Sequence, residues 1–173
     1  SPNGKRVAAG CYQGNVIIVN VEKEEEPDVE KEEKLVTLRI ADKSVVNYES
    51  GSHKVSSICY STDHSIVGGY GNDSLVVWHP EGSNDDKVYT NTNYTKLQGH
   101  SSSVFSVCYS KDGKSIISGS KDITVILWDA TTRGGSQIWY GHSRSVSSIC
   151  WVPKVNHANS NGFQSSRGHI ISG

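Results

Sequence analysis

Residues 99–130 read GHSSSVFSVCYSKDGKSIISGSKDITVILWDA, and this stretch decides the fold. Three apolar segments rich in β-branched and aromatic residues, VFSVCYS (104–110), SIISGS (115–120) and TVILWD (124–129), are cut apart by the turn formers KDGK (111–114) and KD (121–122). Segments of that length and composition bounded by Gly, Asp and Ser are strand signals. A fourth short strand, QIWY (137–140), follows TTRGGS and precedes a new Gly-His pair at 141–142. The spacing therefore predicts four antiparallel strands forming one small sheet in about 42 residues.

The same pattern recurs. GSHKVSSICYSTDHSIVGGYGNDSLVVWHP (51–80) repeats it, with Ser52 inserted in the Gly-His pair and Trp78-His79 at its close. GHSRSVSSICWVP (141–153) begins a further copy, interrupted by KVNHANSNGFQSSRG (154–168) and resumed by HIISG (169–173). SPNGKRVAAGCYQGNVIIVN (1–20) matches the second and third strands of the pattern only. Cys59, Cys108 and Cys150 mark the same slot at intervals of 49 and 42 residues, which is the range of stacked supersecondary repeats.

Gly99-His100 at the opening, Trp128-Asp129 at the close and SGSKD between them resemble a WD40 repeat, the four-stranded blade of a β-propeller. The resemblance implies an all-β fold: a partial blade at 1–50, blades at 51–98 and 99–140, and the start of another at 141–173 with its first hairpin widened by residues 154–168. Either LVTLRI (35–40) or SVVNY (44–48) would supply the outer strand of the first blade. Propellers of this family close with about four to eight blades, so the residues present are expected to belong to a larger propeller.

Composition narrows the partners less. The chain has 173 residues, 35% apolar and 20% charged, with a formal charge of -1. EKEEEPDVEKEEK (22–34) holds eight of the eighteen acidic residues and three of the seventeen basic ones, so the rest carries 14 basic against 10 acidic, a mild +4. That balance permits nucleic acid nearby without arguing for it. The acidic run has the charge of a solvated loop, with docking of a basic partner as its alternative. No apolar run approaches the roughly 18 residues of a membrane span. The four cysteines form no C-x-x-C pair, and three share one repeat slot too far apart for a disulfide, which favours small buried residues and a reducing, intracellular compartment, cytoplasmic or nuclear.

His100, Ser118 and Asp122 are the residue types of a hydrolase triad. The resemblance implies a different use: with Trp128 they would form a hydrogen-bonded chain, Trp128 N–H to Ser118 to His100 to Asp122, that pins the strands of one blade. No strained G-x-S-x-G elbow accompanies Ser118, and the seven histidines show no i,i+2 or i,i+4 pairing for a metal. We therefore expect no catalytic residue, metal, cofactor or small-molecule substrate. Other copies keep part of the set. His53 and Trp78 stand in the second, with Gly68 and Asn72 in the Ser and Asp slots; His142 and Ser172 stand in the last; the first has Ala9, Gln13 and Val19.

With strands committed to packing, function is expected on loops and rims. The residue just inside each innermost strand is Ser56, Phe105 or Ser147, at the mouth where propeller partners commonly bind. Phe105 is the candidate anchor, packing between blades being its alternative, with Lys54 and Arg144 nearby on adjacent blades. The expected role is a scaffold for other proteins in an intracellular assembly. Membership in a ribosome- or splicing-related ribonucleoprotein particle is the alternative, and a propeller hydrolase the third reading.

Overall fold

In the computed structural model, residues 1–20, 36–38, 54–82, 89, 93–152 and 169–173 are described. His53, the acidic segment 22–34, SVVNY, most of 83–93 and the insertion 154–168 lie outside them.

Every regular element among the described residues is a strand, because each apolar run is too short and too β-branched to favour a helix over pairing with its neighbour. The best repeat forms β8 (Val104–Tyr109), β9 (Ser115–Ser120), β10 (Val125–Asp129) and β11 (Gly135–Trp139), a four-stranded antiparallel meander in chain order. The copy before it forms β4 (Val55–Tyr60), β5 (Ile66–Tyr70), β6 (Ser74–Trp78) and β7 (Tyr94–Gln98), again a meander. At the N-terminal side β1 (Arg6–Gly10), β2 (Val16–Asn20) and β3 (Val36–Leu38) make three strands, and β12 (Ile149–Val152) with β13 (His169–Ser172) make two. Of the two candidates for the outer strand of the first unit, the middle of LVTLRI pairs with β2, through Ile17↔Thr37.

Successive sheets pack face to face, with β4, β8 and β12 lying beside one another on the inner side. The middle strands are buried on both faces: every residue of β5 and β6 is covered. Three apolar clusters sit between sheets, not inside any one of them. Val67, Val77, Val107, Tyr109 and Trp128 belong to one, Ile18, Ile66, Tyr70 and Trp78 to a second, and Ile117, Val146 and Ile149 to a third.

A glycine at the end of each second strand sets how closely the next sheet can approach. A Cβ on Gly10 would lie 2.4 Å from Val55 Cγ1; on Gly69, 2.8 Å from Val104 Cγ1; on Gly119, 2.6 Å from Val146 Cγ1. Val55 and Val104 open the innermost strand of the following unit and Val146 lies three residues before β12, so the same Gly–Val contact is made at each junction.

The repeated cysteine has a second reason besides size. Neighbouring inner strands are not paired through a backbone ladder; side chains reach across instead. Val107 N–H donates to Ser57 Oγ at 3.1 Å, and one unit later Ile149 N–H donates to Ser106 Oγ at 3.0 Å. Two residues along, the N–H of Tyr109 faces Cys59 and that of Trp151 faces Cys108. Ser-x-Cys thus offers two acceptors in a row to the next strand. Burial pushes the Cys108 thiol up to about 12, so it is a protonated, inert packing group at neutral pH. The expectation of burial fails at Cys150, which is exposed, because no following inner strand covers it among the described residues. All four cysteines are free.

Candidate functional site

The triad-like set is built from two strands, the turn between them and the segment that leads into β8. His100 precedes β8, Ser118 lies in the middle of β9, Asp122 sits in the β9–β10 turn, and Trp128 lies on β10. Trp128 Nε1 donates to Ser118 Oγ at 2.8 Å, Ser118 Oγ lies 2.7 Å from His100 Nε2, and His100 Nδ1 lies 2.9 Å from Asp122 Oδ2. Because the carboxylate can only accept, the imidazole hydrogen is assigned to Nδ1 and the serine hydroxyl donates to Nε2. The chain is then satisfied from the indole to the carboxylate.

Asp122 also organises its own turn. Oδ1 accepts from Thr124 N–H at 3.0 Å and from its hydroxyl at 2.6 Å, and Oδ2 accepts from Ser101 N–H at 2.8 Å. Those bonds hold the β-branched Ile123 at a φ of 65°, in the left-handed region it would otherwise avoid.

The ionisation states follow from these contacts. Burial pulls the His100 pKa below its usual value, the Asp122 carboxylate pulling it partly back, so the imidazole is neutral at pH 7. For Asp122, burial would raise the pKa, but the bonds from Thr124 and Ser101 and the nearby imidazole outweigh it and hold the carboxyl at about 2. Both groups have folded pKa values below their unfolded ones, so in both cases the unfolded chain takes up the proton first as pH falls. Stability contributed by His100 is present above about pH 6.5 and declines below it, and that from Asp122 is lost between about pH 4 and pH 2. The urea midpoint should therefore fall in two stages on acidification, and Asp122→Asn should flatten the lower stage. A midpoint flat from pH 7 to pH 3 would contradict this arrangement.

Chemically the group is closed. Ser118 has no exposed surface and His100 is 6% exposed, so no substrate carbonyl can approach the hydroxyl. The other copies carry parts of the same chain. His142 Nε2 lies 2.8 Å from Ser172 Oγ, matching His100 with Ser118. In the second sheet Trp78 is fully buried, but with Gly68 in the serine slot its indole N–H finds no acceptor, and Tyr70 packs against it with ring centres 6.3 Å apart. His79, where the repeat's aspartate would stand, uses both ring nitrogens, Nδ1 at 3.4 Å from Ser65 Oγ and Nε2 at 3.2 Å from Thr95 Oγ1.

Phe105, Lys54 and Arg144 lie at the end of the sheets where the innermost strands begin. Lys54 immediately precedes β4, and Arg144 lies two residues before Val146, whose N–H donates to Ser120 O. Both are exposed, and no hydrogen bond or ion pair joins either to Phe105 among the described residues. Phe105 itself is half-buried, between the exposed anchor and the packing between blades that were its two expected readings. The register of β8 against β9 slips between Val104 and Ser106, leaving Phe105 as an unpaired bulge residue; β4 slips in the same way around Ser56. A bulge re-aims its side chain, here toward partial cover. The bulge and the Ser-x-Cys acceptors left no signal in the composition of any one repeat. Only the alignment of the three VxSxC segments points to them.

Radially packed four-stranded meanders, each closed by a buried Trp–Ser–His–Asp chain or its remnants, define a β-propeller blade. The family model described as "WD domain, G-beta repeat" matches residues 91–129. Residues 91–129 thus carry a WD40 repeat, and the four sheets have the fold of β-propeller blades, two whole and parts of two others. It is 37% identical to the Intraflagellar transport protein 122 homolog of Mus musculus over 40% of this chain and 6% of that protein. It is 24% identical to Protein hir1 of Schizosaccharomyces pombe over 88% of this chain and 17% of that one. The solved structure of RRP9 WD40 repeats superposes with a TM-score of 0.63 at 15% identity, covering 86% of this chain and 39% of that one. The chain thus spans a small part of the curated relatives that it matches. Among the described residues no helix is long and apolar enough to cross a membrane, and no group of His, Cys, Asp and Glu could hold a metal ion.

Proposed function

We propose that this chain is a non-catalytic scaffold that holds other proteins in an intracellular assembly, in the cytoplasm or nucleus, through the propeller mouth around Phe105, Lys54 and Arg144. One observation carries the reading: the His100–Ser118–Asp122 set, triad-like in its residue types, is sealed in the blade and saturated by its own hydrogen bonds. What remains available to a partner is the rim. That rim carries an aromatic residue on a bulge and exposed cations of the neighbouring blades, the residue types that interface hot spots favour.

Affinity capture with the intact chain followed by mass spectrometry tests this. Phe105→Ala combined with Lys54→Glu is expected to lose captured proteins by roughly tenfold or more while leaving the thermal midpoint within a few degrees. Capture unchanged by the pair of substitutions would remove the mouth from consideration. Membership of a ribonucleoprotein particle is the second reading, supported by the fold likeness to RRP9 WD40 repeats and by the mild positive balance outside residues 22–34. Capture that collapses after ribonuclease treatment would favour it.

A further inference from the structure

Adjacent blades leave a cleft at the end opposite the mouth, and one such cleft is plugged from within while the next stands open. Between the first and second blades Tyr89 fills the space: it is 5% exposed, packs with Ile18 and Tyr60, and its hydroxyl donates to His64 O at 2.6 Å. The same positions in the next junction are Val77, Tyr109 and Gly113. Gly113 and His64 hold the same place in their turns, with φ of 71° and 70°. Among the described residues none plays the part of Tyr89 there. Instead a cleft of about 350 Å³ opens, lined by Val77, Tyr109 and Gly113, with Lys114, Thr131 and Arg133 at its rim.

Two features of the open cleft point to a ligand. The ring of Tyr109 is covered, the residue being 8% exposed, yet its hydroxyl has no hydrogen-bond partner among the described residues. Burial, with Asp63 beside it, pushes its pKa up, so it remains a donor at any physiological pH. The hydroxyl is not among the sealed polar atoms left without a partner, so it reaches the open space of the cleft, where it can donate to an occupant. At the rim, Arg133 and Lys114 form no ion pair among the described residues. The two carboxylates at the rim are already committed to their own turns. Asp63 accepts from Ser65 N–H at 2.9 Å, and Asp112 accepts from Ser110 Oγ at 2.6 Å and Lys114 N–H at 3.1 Å. Lys114 lies within electrostatic reach of Asp112, but neither cation is held in a close ion pair among the described residues, so both can turn to carbonyl or carboxylate oxygens of a bound segment.

We infer that this cleft between the second and third blades is a docking site for a tyrosine side chain of a partner polypeptide, seated as Tyr89 is seated in the neighbouring cleft. The incoming ring lies against Val77 and Tyr109, its hydroxyl donates to Gly113 O as Tyr89 donates to His64 O, and Arg133 and Lys114 grip the backbone or acidic groups beside it. The site lies on the face opposite Phe105, because the 110–114 turn closes the far end of β8, so it stands or falls separately from the mouth.

The test uses the intact, ¹⁵N-labelled chain and two probes, acetyl-GSYSG-amide and acetyl-GSASG-amide. The tyrosine peptide is expected to shift the amides of Gly113, Thr131 and Arg133 in a saturable way, and the alanine peptide to bind roughly tenfold or more weakly. Thr131→Trp, which places a ring into the cleft from its rim, should abolish the shifts at an unchanged thermal midpoint. Tyr109→Phe should weaken them severalfold. The proposal is overturned if the alanine peptide is equally effective, if Thr131→Trp binds like the parent, or if shifts appear only around Lys54 and Phe105. That last result would leave the mouth reading intact.

Discussion

Trp128→Ala is expected to lower the unfolding free energy by about 4 kcal/mol, near the upper range for truncating a buried aromatic. Trp128 is 2% exposed and packs in the cluster shared between the second and third blades, so its removal opens a cavity at a blade junction. It also withdraws the donor that Ser118 Oγ accepts at 2.8 Å. The two contributions can be separated. Trp128→Phe keeps most of the apolar contact and loses the N–H, and should cost about 1–3 kcal/mol. His100→Ala and Ser118→Ala should each destabilise, and together by less than their sum, because they break one chain of bonds. Urea denaturation of the four single variants and of the double one measures this. A Trp128→Ala cost under about 1 kcal/mol would mean that the indole is not the keystone of its blade.

Gly119→Val should destabilise by about 3 kcal/mol or more, and the damage should be local. A Cβ there meets Val146 Cγ1 at 2.6 Å and Ile149 Cγ1 at 2.8 Å, both buried side chains on the next inner segment, so neither can step aside into solvent. Overpacking forces the last two strands away from the third blade. Hydrogen exchange should show β12 and β13 losing protection while β8, β9 and β10 retain most of theirs. Gly134→Ala serves as the control, since its Cβ would meet only Thr132 Oγ1 at 3.9 Å; its effect should stay within about 0.5 kcal/mol. Equal effects of the two substitutions would show that the Gly–Val contact does not set the blade spacing.

Much of this architecture is local, and local order is what a sequence displays. The strands of the second and third blades follow from short β-branched runs and the turns between them. The Trp–Ser–His–Asp chain was legible because its members fall at fixed offsets within a single repeat, whereas that Gly68 in the serine slot leaves the Trp78 indole without an acceptor was seen only in the structure. The choice between LVTLRI and SVVNY was not local. Both are apolar and β-branched, and pairing with β2 selects the first.

The residues by themselves determined that the chain builds antiparallel four-stranded units and which polar side chains each unit consumes, because hydrogen-bonded neighbours within a blade are never more than a few dozen residues apart. Tertiary structure alone decided everything that lies between blades. It placed Gly119 against Val146, Ser57 under the N–H of Val107, Phe105 on a half-covered bulge, and Tyr89 in one cleft while leaving the next open. Those relations depend on the angle and separation at which two sheets pack, quantities set by the summed volume of side chains from both and encoded at no single position of either.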